Sequence, residues 1–209
     1  MHALTYFNAP GRAVITRICF GAAGIPYKFV PVANWAALLE LRGASGSSPG
    51  CPLGSLPVLT LPSGVVVTQS GAHYRYAAKK AGLYPRDDDE AALHIDEILG
   101  LCDDVLAKVP QGGEPAAKAA ARAAYVADKL PIFFHYLTAK LGAGPYFGGA
   151  SINLADLAVF SLTHGIASGS WDHVDGPKTM AAYPALAAHL AAMTAHPLVV
   201  AHGHLGDKA

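Results

Sequence analysis

The sequence predicts an α/β domain followed by an all-α domain. Short strand-like runs alternate with helical runs only over residues 1–82. Leu83-Tyr84-Pro85 closes that region, and beyond it apolar residues recur at helical spacing alone. The boundaries expected are 1–82 for the first domain and 87–209 for the second. A chain of 209 residues with 52% hydrophobic content has enough apolar material for both cores.

In the first domain, Leu4 to Tyr6 reads as a short strand and Ala9-Pro10-Gly11 as a turn. Arg12 to Ala23 reads as a helix, with Val14, Ile15, Ile18, Cys19 and Ala22 at helical spacing. Gly24 and Pro26 stop it. Tyr27 to Val32 reads as a second strand, and Trp35 to Leu41 as a short helix. Residues 44–54, rich in Gly, Ser and Pro, form a loop. Leu56 to Leu61 and Val65 to Thr68 are two strands joined by Pro62-Ser63-Gly64. A third helix runs from Thr68-Gln69-Ser70 to about Ala81. The order β-α-β-α-β-β-α is thioredoxin-like, with a mixed four-stranded sheet.

In the second domain, Asp87 to Glu90 is an acidic helix start. Ile95, Ile98, Cys102, Val105 and Val109 follow as its apolar stripe, with Asp96 off it. Pro115 opens a long Ala-rich helix expected to continue to Gly142. Asn153 and Asp156 have the form of a capping box ahead of a buried helix. Pro184 to Met193 is expected to be the last helix.

Formal net charge is zero, so no field favours nucleic acid or an anionic membrane. No segment is apolar enough to span a membrane, and the N-terminus lacks a secretory pattern. Cys19, Cys51 and Cys102 are odd in number and lack metal spacing, so a cytoplasmic location is expected. No Cys-x-x-Cys opens the first helix, which argues against thiol–disulfide exchange there. Cys51 reads either as a loop cysteine or as a reactive thiol. His189, His196, His202 and His204 form no convincing metal set, and no metal is expected. There is no P-loop, Rossmann glycine pattern or nucleophile elbow.

Tyr6 ends the first strand beside a helix N-terminus, where unpaired N–H groups favour an anion. It reads either as a packing tyrosine or as a hydrogen-bond donor to a bound thiolate. Pro57 at a strand start leaves the backbone of Leu56 open to an extended peptide. Gln69 and Ser70 stand at a helix N-terminus suited to a carboxylate, or Thr68 or Ser70 simply caps that helix.

Tyr6-Phe7-Asn8 with Gly11-Arg12, Trp35, the run Pro52 to Leu59, and Gln69-Ser70 followed by Arg75-Tyr76 occur in order. On these residues the chain resembles the soluble glutathione transferases, in particular the sigma-like, tyrosine-type class. The resemblance implies that Tyr6 holds the glutathione sulfur as thiolate, with Arg12 beside it. It implies that Pro57 is cis and presents Leu56 to the cysteinyl backbone. It places the γ-glutamyl carboxylate on Gln69 and Ser70, and Trp35 near the glycyl end. Asp96 matches an acidic residue that reaches across a homodimer interface to the glutathione amino group. Ser55 stands where the family usually has Gln, and Leu39 where a Lys commonly follows the Trp; Arg42 is the substitute cation considered. A hydrophobic electrophile is expected against Phe7, Cys102 and Val105. The leading activity is conjugation of glutathione to such electrophiles. Alternatives are a prostaglandin-type isomerase, disfavoured because the first helix of the second domain carries no Trp, and a non-catalytic member of the family.

Overall fold

The computed structural model describes residues 1–204 and divides into two compact units. Met1–Tyr84 with residues 197–204 form one, and Pro85–His196 forms the other. This division differs from the expected 87–209 in grouping residues 197–204 with the first unit, and residues 205–209 of that expectation lie outside the described residues.

In the first unit, β1 (His2–Phe7) runs parallel to β2 (Tyr27–Val32), with Tyr6 opposite Pro31. On its other side β1 pairs antiparallel with β3 (Val58–Thr60), which pairs antiparallel with β4 (Val66–Val67). The sheet order is β2-β1-β3-β4, mixed as expected. β4 is shorter than the sequence suggests; Val65 stands outside it and is exposed.

The helix α1 (Ala13–Ala22) is buried from Ala13 through Phe20, so it is central rather than a surface helix. It packs against α3 (Ser70–Ala81) and against a short helix α10 (Pro197–His202). A Cβ on Gly21 would lie 2.2 Å from the His202 ring. That close approach, with Val199 fully buried, is why α10 joins the first unit. α2 (Trp35–Arg42) is capped by the Asn34 side chain, which accepts the Ala37 N–H at 3.0 Å. Of its residues only Leu38 is buried, and it joins Val32, Cys51 and Val58 in a small core cluster. Cys51 is thus a core residue, which settles the two readings of it: its thiol is fully buried, 3.5 Å from the Ser55 carbonyl.

In the second unit, α4 (Asp89–Lys108) buries Ile95, Ile98, Leu99, Cys102 and Val105; Leu99 adds to the expected stripe, and Val109 of that stripe is buried just past the helix end. Asp88 caps it by accepting the Ala91 N–H at 2.9 Å. The single long helix expected to follow is instead α5 (Pro115–Ala124), a π-helical turn over Tyr125–Lys129, and α6 (Leu130–Leu141). Pro131 explains the break: it has no N–H, and its ring crowds the carbonyl four residues back. The central helix α7 (Leu154–Ala167) is buried along most of its length. A short α8 (Gly176–Ala181), absent from the sequence reading, and α9 (Pro184–Ala195) complete the unit.

The capping box forms as the sequence suggests. Asn153 Oδ1 accepts the Ala155 N–H, and Asp156 Oδ2 accepts the Asn153 N–H, both at 2.8 Å. Fully buried, Asp156 does more: its Oδ1 also accepts the Phe147 N–H at 2.8 Å and faces His189 Nε2 at 3.0 Å. A buried carboxylate without such donors would be strongly destabilising.

Candidate functional site

The site develops where β1 ends. Tyr6 precedes the turn that leads into α1, and its ring stands against Gly11. A Cβ on Gly11 would lie 2.4 Å from the Tyr6 hydroxyl, and Gly11 has φ of +39°, so a side chain there is excluded twice. The Tyr6 hydroxyl oxygen accepts the Arg12 backbone N–H at 3.0 Å. On the other side of the same residue, Tyr74 donates its phenolic O–H to the Arg12 carbonyl at 2.8 Å. Two phenols therefore fix the first turn of α1. Tyr74 was not identified from sequence. It lies 62 residues from Arg12, and nothing in a local pattern connects them.

Because the Tyr6 oxygen accepts from a backbone N–H, its own proton points elsewhere. No acceptor for it occurs among the described residues. Burial raises the Tyr6 pKa above that of an ordinary phenol, while the Arg12 N–H and the Arg12 guanidinium oppose the rise. The phenol is consequently protonated near neutrality and acts as a donor, not a base.

Beside this turn is a cavity lined by Arg12, Leu53, Ser55, Leu56, Pro57, Thr68, Gln69 and Ser70. It brings together six residues singled out from the sequence: Arg12, Ser55, Leu56, Pro57, Gln69 and Ser70. The Leu56–Pro57 peptide is cis, as the resemblance implies. Neither the N–H nor the carbonyl of Leu56 enters a backbone hydrogen bond among the described residues. At the start of α3, Gln69 makes no side-chain cap. The start of α3 thus has no side-chain cap, and its first residue, Ser70, lines the cavity. Leu53 and Thr68 are lining residues that the site argument from sequence omitted.

The other expected residues lie elsewhere. Trp35, on α2, is 60% exposed, and the Arg42 guanidinium carbon sits 5.6 Å from its ring centroid. Asp96 is half-buried on α4 in the second unit. Cys102 and Val105 are corrected: 5% and 0% exposed, they belong to a core rather than to a ligand wall. The Val105 carbonyl also accepts the Tyr125 hydroxyl at 3.2 Å. Burial pushes the Cys102 thiol pKa far up, so it is inert as well as enclosed. Phe7 is half-buried against the Val32–Leu38–Cys51–Val58 cluster and keeps part of its ring exposed. Among the described residues no cluster of His, Cys, Asp and Glu has the geometry of a metal centre. His189 instead faces Asp156, and His202 packs on Gly21.

Comparisons with known proteins show the family and the fold. The family described as glutathione S-transferase, C-terminal domain, matches residues 103–203. Hematopoietic prostaglandin D synthase from Gallus gallus is 33% identical over 158 residues, covering 74% of this chain and 74% of that protein. Glutathione S-transferase 1 from Ascaris suum is 33% identical over 172 residues, covering 76% of each. The solved structure of rat hPGDS complexed with a quinoline matches with a TM-score of 0.79 at 24% identity, covering 96% of this chain and 94% of that one, which shows the fold.

Proposed function

The chain belongs to the glutathione S-transferase family, and from that premise we propose that it binds glutathione on the first unit and transfers its thiolate to hydrophobic electrophiles. The observation that carries this reading is the Tyr6 phenol. It is anchored through its oxygen and holds its proton free, next to a cavity with an open strand edge and an uncapped helix N-terminus.

In this reading the Tyr6 O–H donates to the glutathione sulfur and stabilises its negative charge. A hydrogen bond to a charged partner contributes roughly 1.5–3 kcal/mol. At about 1.4 kcal/mol per pKa unit, this lowers a thiol pKa by on the order of one to two units. A thiol starting near 8.5 then holds a substantial thiolate population at neutral pH. The Arg12 guanidinium adds positive potential on the same side. The sulfur lone pair forms a C–S bond to the electrophile as the leaving group departs with the bonding electrons, or as charge moves onto an activated double bond. Leu56 offers its free N–H and carbonyl to the cysteinyl backbone. Gln69, Ser70 and the α3 N-terminus receive the γ-glutamyl carboxylate. The exposed part of Phe7 is offered to the electrophile.

A sigma-like, cytoplasmic homodimer completes the reading, with Asp96 of one subunit directed to the glutathione amino group held by the other. Asp96→Ala is then expected to weaken glutathione binding in the dimer. Calorimetry paired with sedimentation tests this, and a monomer that binds equally well removes the cross-subunit role. Among the described residues no helix is long and apolar enough to cross a membrane.

The likeness to a hematopoietic prostaglandin D synthase favours a second reading, isomerisation of an endoperoxide with glutathione regenerated. Glutathione consumption separates the two. Stoichiometric loss of free thiol with an aryl halide supports conjugation, and endoperoxide turnover without thiol loss supports isomerisation.

A further inference from the structure

We propose that Tyr74 is a positioning residue for thiol activation: by bracing the Arg12 backbone it keeps the Tyr6 hydroxyl turned toward the sulfur. This role rests on the glutathione reading above, and Tyr74 acts in it through Arg12 rather than on the thiol itself. A phenolic proton lies in the plane of its ring, on one side of the oxygen or the other. The Arg12 N–H, 3.0 Å from the Tyr6 oxygen, takes one of those sides and leaves the proton the other. The aim of the proton therefore depends on how firmly the Arg12 N–H is held.

The local chain holds it poorly. Arg12 is the N-cap of α1, is exposed, and its side chain makes no cap. It follows Gly11, the residue type that restrains a backbone least, and helix ends fray. Tyr74 supplies the missing hold from the interior. It is 5% exposed, and its O–H donates to the Arg12 carbonyl at 2.8 Å. The N–H and the carbonyl of Arg12 flank one Cα. With a phenol engaging each, the two soft dihedrals between them are held at −65° and −22°. Tyr74 stands four residues after Ser70, on the same face of α3, and α3 packs against α1. One helix face thus carries Ser70, at the end of the cavity read as the γ-glutamyl site, and the brace for the thiol end.

The test titrates the thiolate absorbance of bound glutathione in wild type, Tyr74→Phe, Tyr6→Phe and the double variant, with KM and kcat read separately. Tyr74→Phe keeps the ring and removes one neutral hydrogen bond. The thiolate midpoint is expected to rise by about half a pH unit, and kcat below that midpoint to fall about threefold, with KM for glutathione within about twofold. In the Tyr6→Phe background the same substitution moves the midpoint no further. The midpoint is a property of each bound thiol, so it reports even where part of the protein is unfolded. Tyr125→Phe is the control: Tyr125 is 6% exposed and donates to the Val105 carbonyl in the other unit, so its loss lowers the denaturant midpoint and leaves the thiolate midpoint at the wild-type value. A Tyr74→Phe protein that loses stability but keeps the wild-type thiolate midpoint, or whose shift persists in full without the Tyr6 hydroxyl, overturns the proposal. Failure of the glutathione reading itself has a different signature: the wild-type protein develops no thiolate absorbance with glutathione.

Discussion

The two units treat polar groups in opposite ways. In the helical unit the buried charges face partners on several sides. Asp156 accepts two backbone N–H groups and meets His189. Arg122, only 3% exposed, donates to the carbonyls of Pro110 and Asp172, to the Asp172 carboxylate and to Gln111. In the first unit the polar groups around the cavity are left with capacity to spare: the Tyr6 proton, the backbone of Leu56 and the start of α3. Satisfied polar groups in an interior serve stability, while oriented and unsatisfied ones at a cavity serve a ligand.

Substitutions in the two sets should therefore separate folding from chemistry. The largest effect is expected from Asp156→Ala, which strands His189 and two N–H donors and should cost about 3–5 kcal/mol, read as a lowered denaturant midpoint. The gentler Asp156→Asn should lose less, and its folded fraction should retain full activity per molecule. A midpoint unchanged in both would mean the buried network contributes nothing. Arg122→Met leaves the Pro110 and Asp172 carbonyls unpaired, and a loss of roughly 2–3 kcal/mol is expected by the same assay. Tyr6→Phe should do the reverse, with a denaturant midpoint close to wild type. Its kcat/KM with an aryl halide should fall by about 10- to 100-fold, the worth of one charge-assisted hydrogen bond.

The smallest effect is a pH dependence shared by both units. His73 and His164 are held below the ordinary histidine pKa by burial, and His2 by burial first and then by Lys80 and the N-terminus. A depressed histidine pKa means the unfolded chain binds protons more readily. Their contribution is thus complete above about 6.5 and is lost as pH falls from there toward the folded-state values. His73, whose Nε2 faces the Val67 carbonyl at 2.9 Å, is the best buried of the three. His73→Gln should flatten part of that slope in denaturation curves taken at several pH values, and an unaltered slope would remove it from the account.

Much of this contrast was legible in the sequence because it depends on local chemistry. The β1–α1–β2 unit, the proline opening β3 and the Asn153–Asp156 box each announce themselves within a few residues. The cavity residues Arg12, Ser55, Leu56, Pro57, Gln69 and Ser70 could be named because a resemblance linked segments that no periodicity connects. What escaped depends on contacts between distant residues. Tyr74 reaches Arg12, His189 reaches Asp156 and Arg122 reaches Asp172 across 62, 33 and 50 residues. The π turn before Pro131 was hidden by an otherwise continuous helical pattern. Val105 and Cys102 carry the same apolar signal whether they line a pocket or fill a core, and they fill a core.

The central claim is that the Tyr6 proton keeps glutathione ionised. The most direct measurement is the ultraviolet difference absorbance of the thiolate at neutral pH, with wild type and Tyr6→Phe each saturated with glutathione. The account predicts a thiolate band for the wild type that titrates one to two units below free glutathione, and its loss in Tyr6→Phe at equal occupancy. An equal band in the two proteins, or none in the wild type at full occupancy, would contradict it.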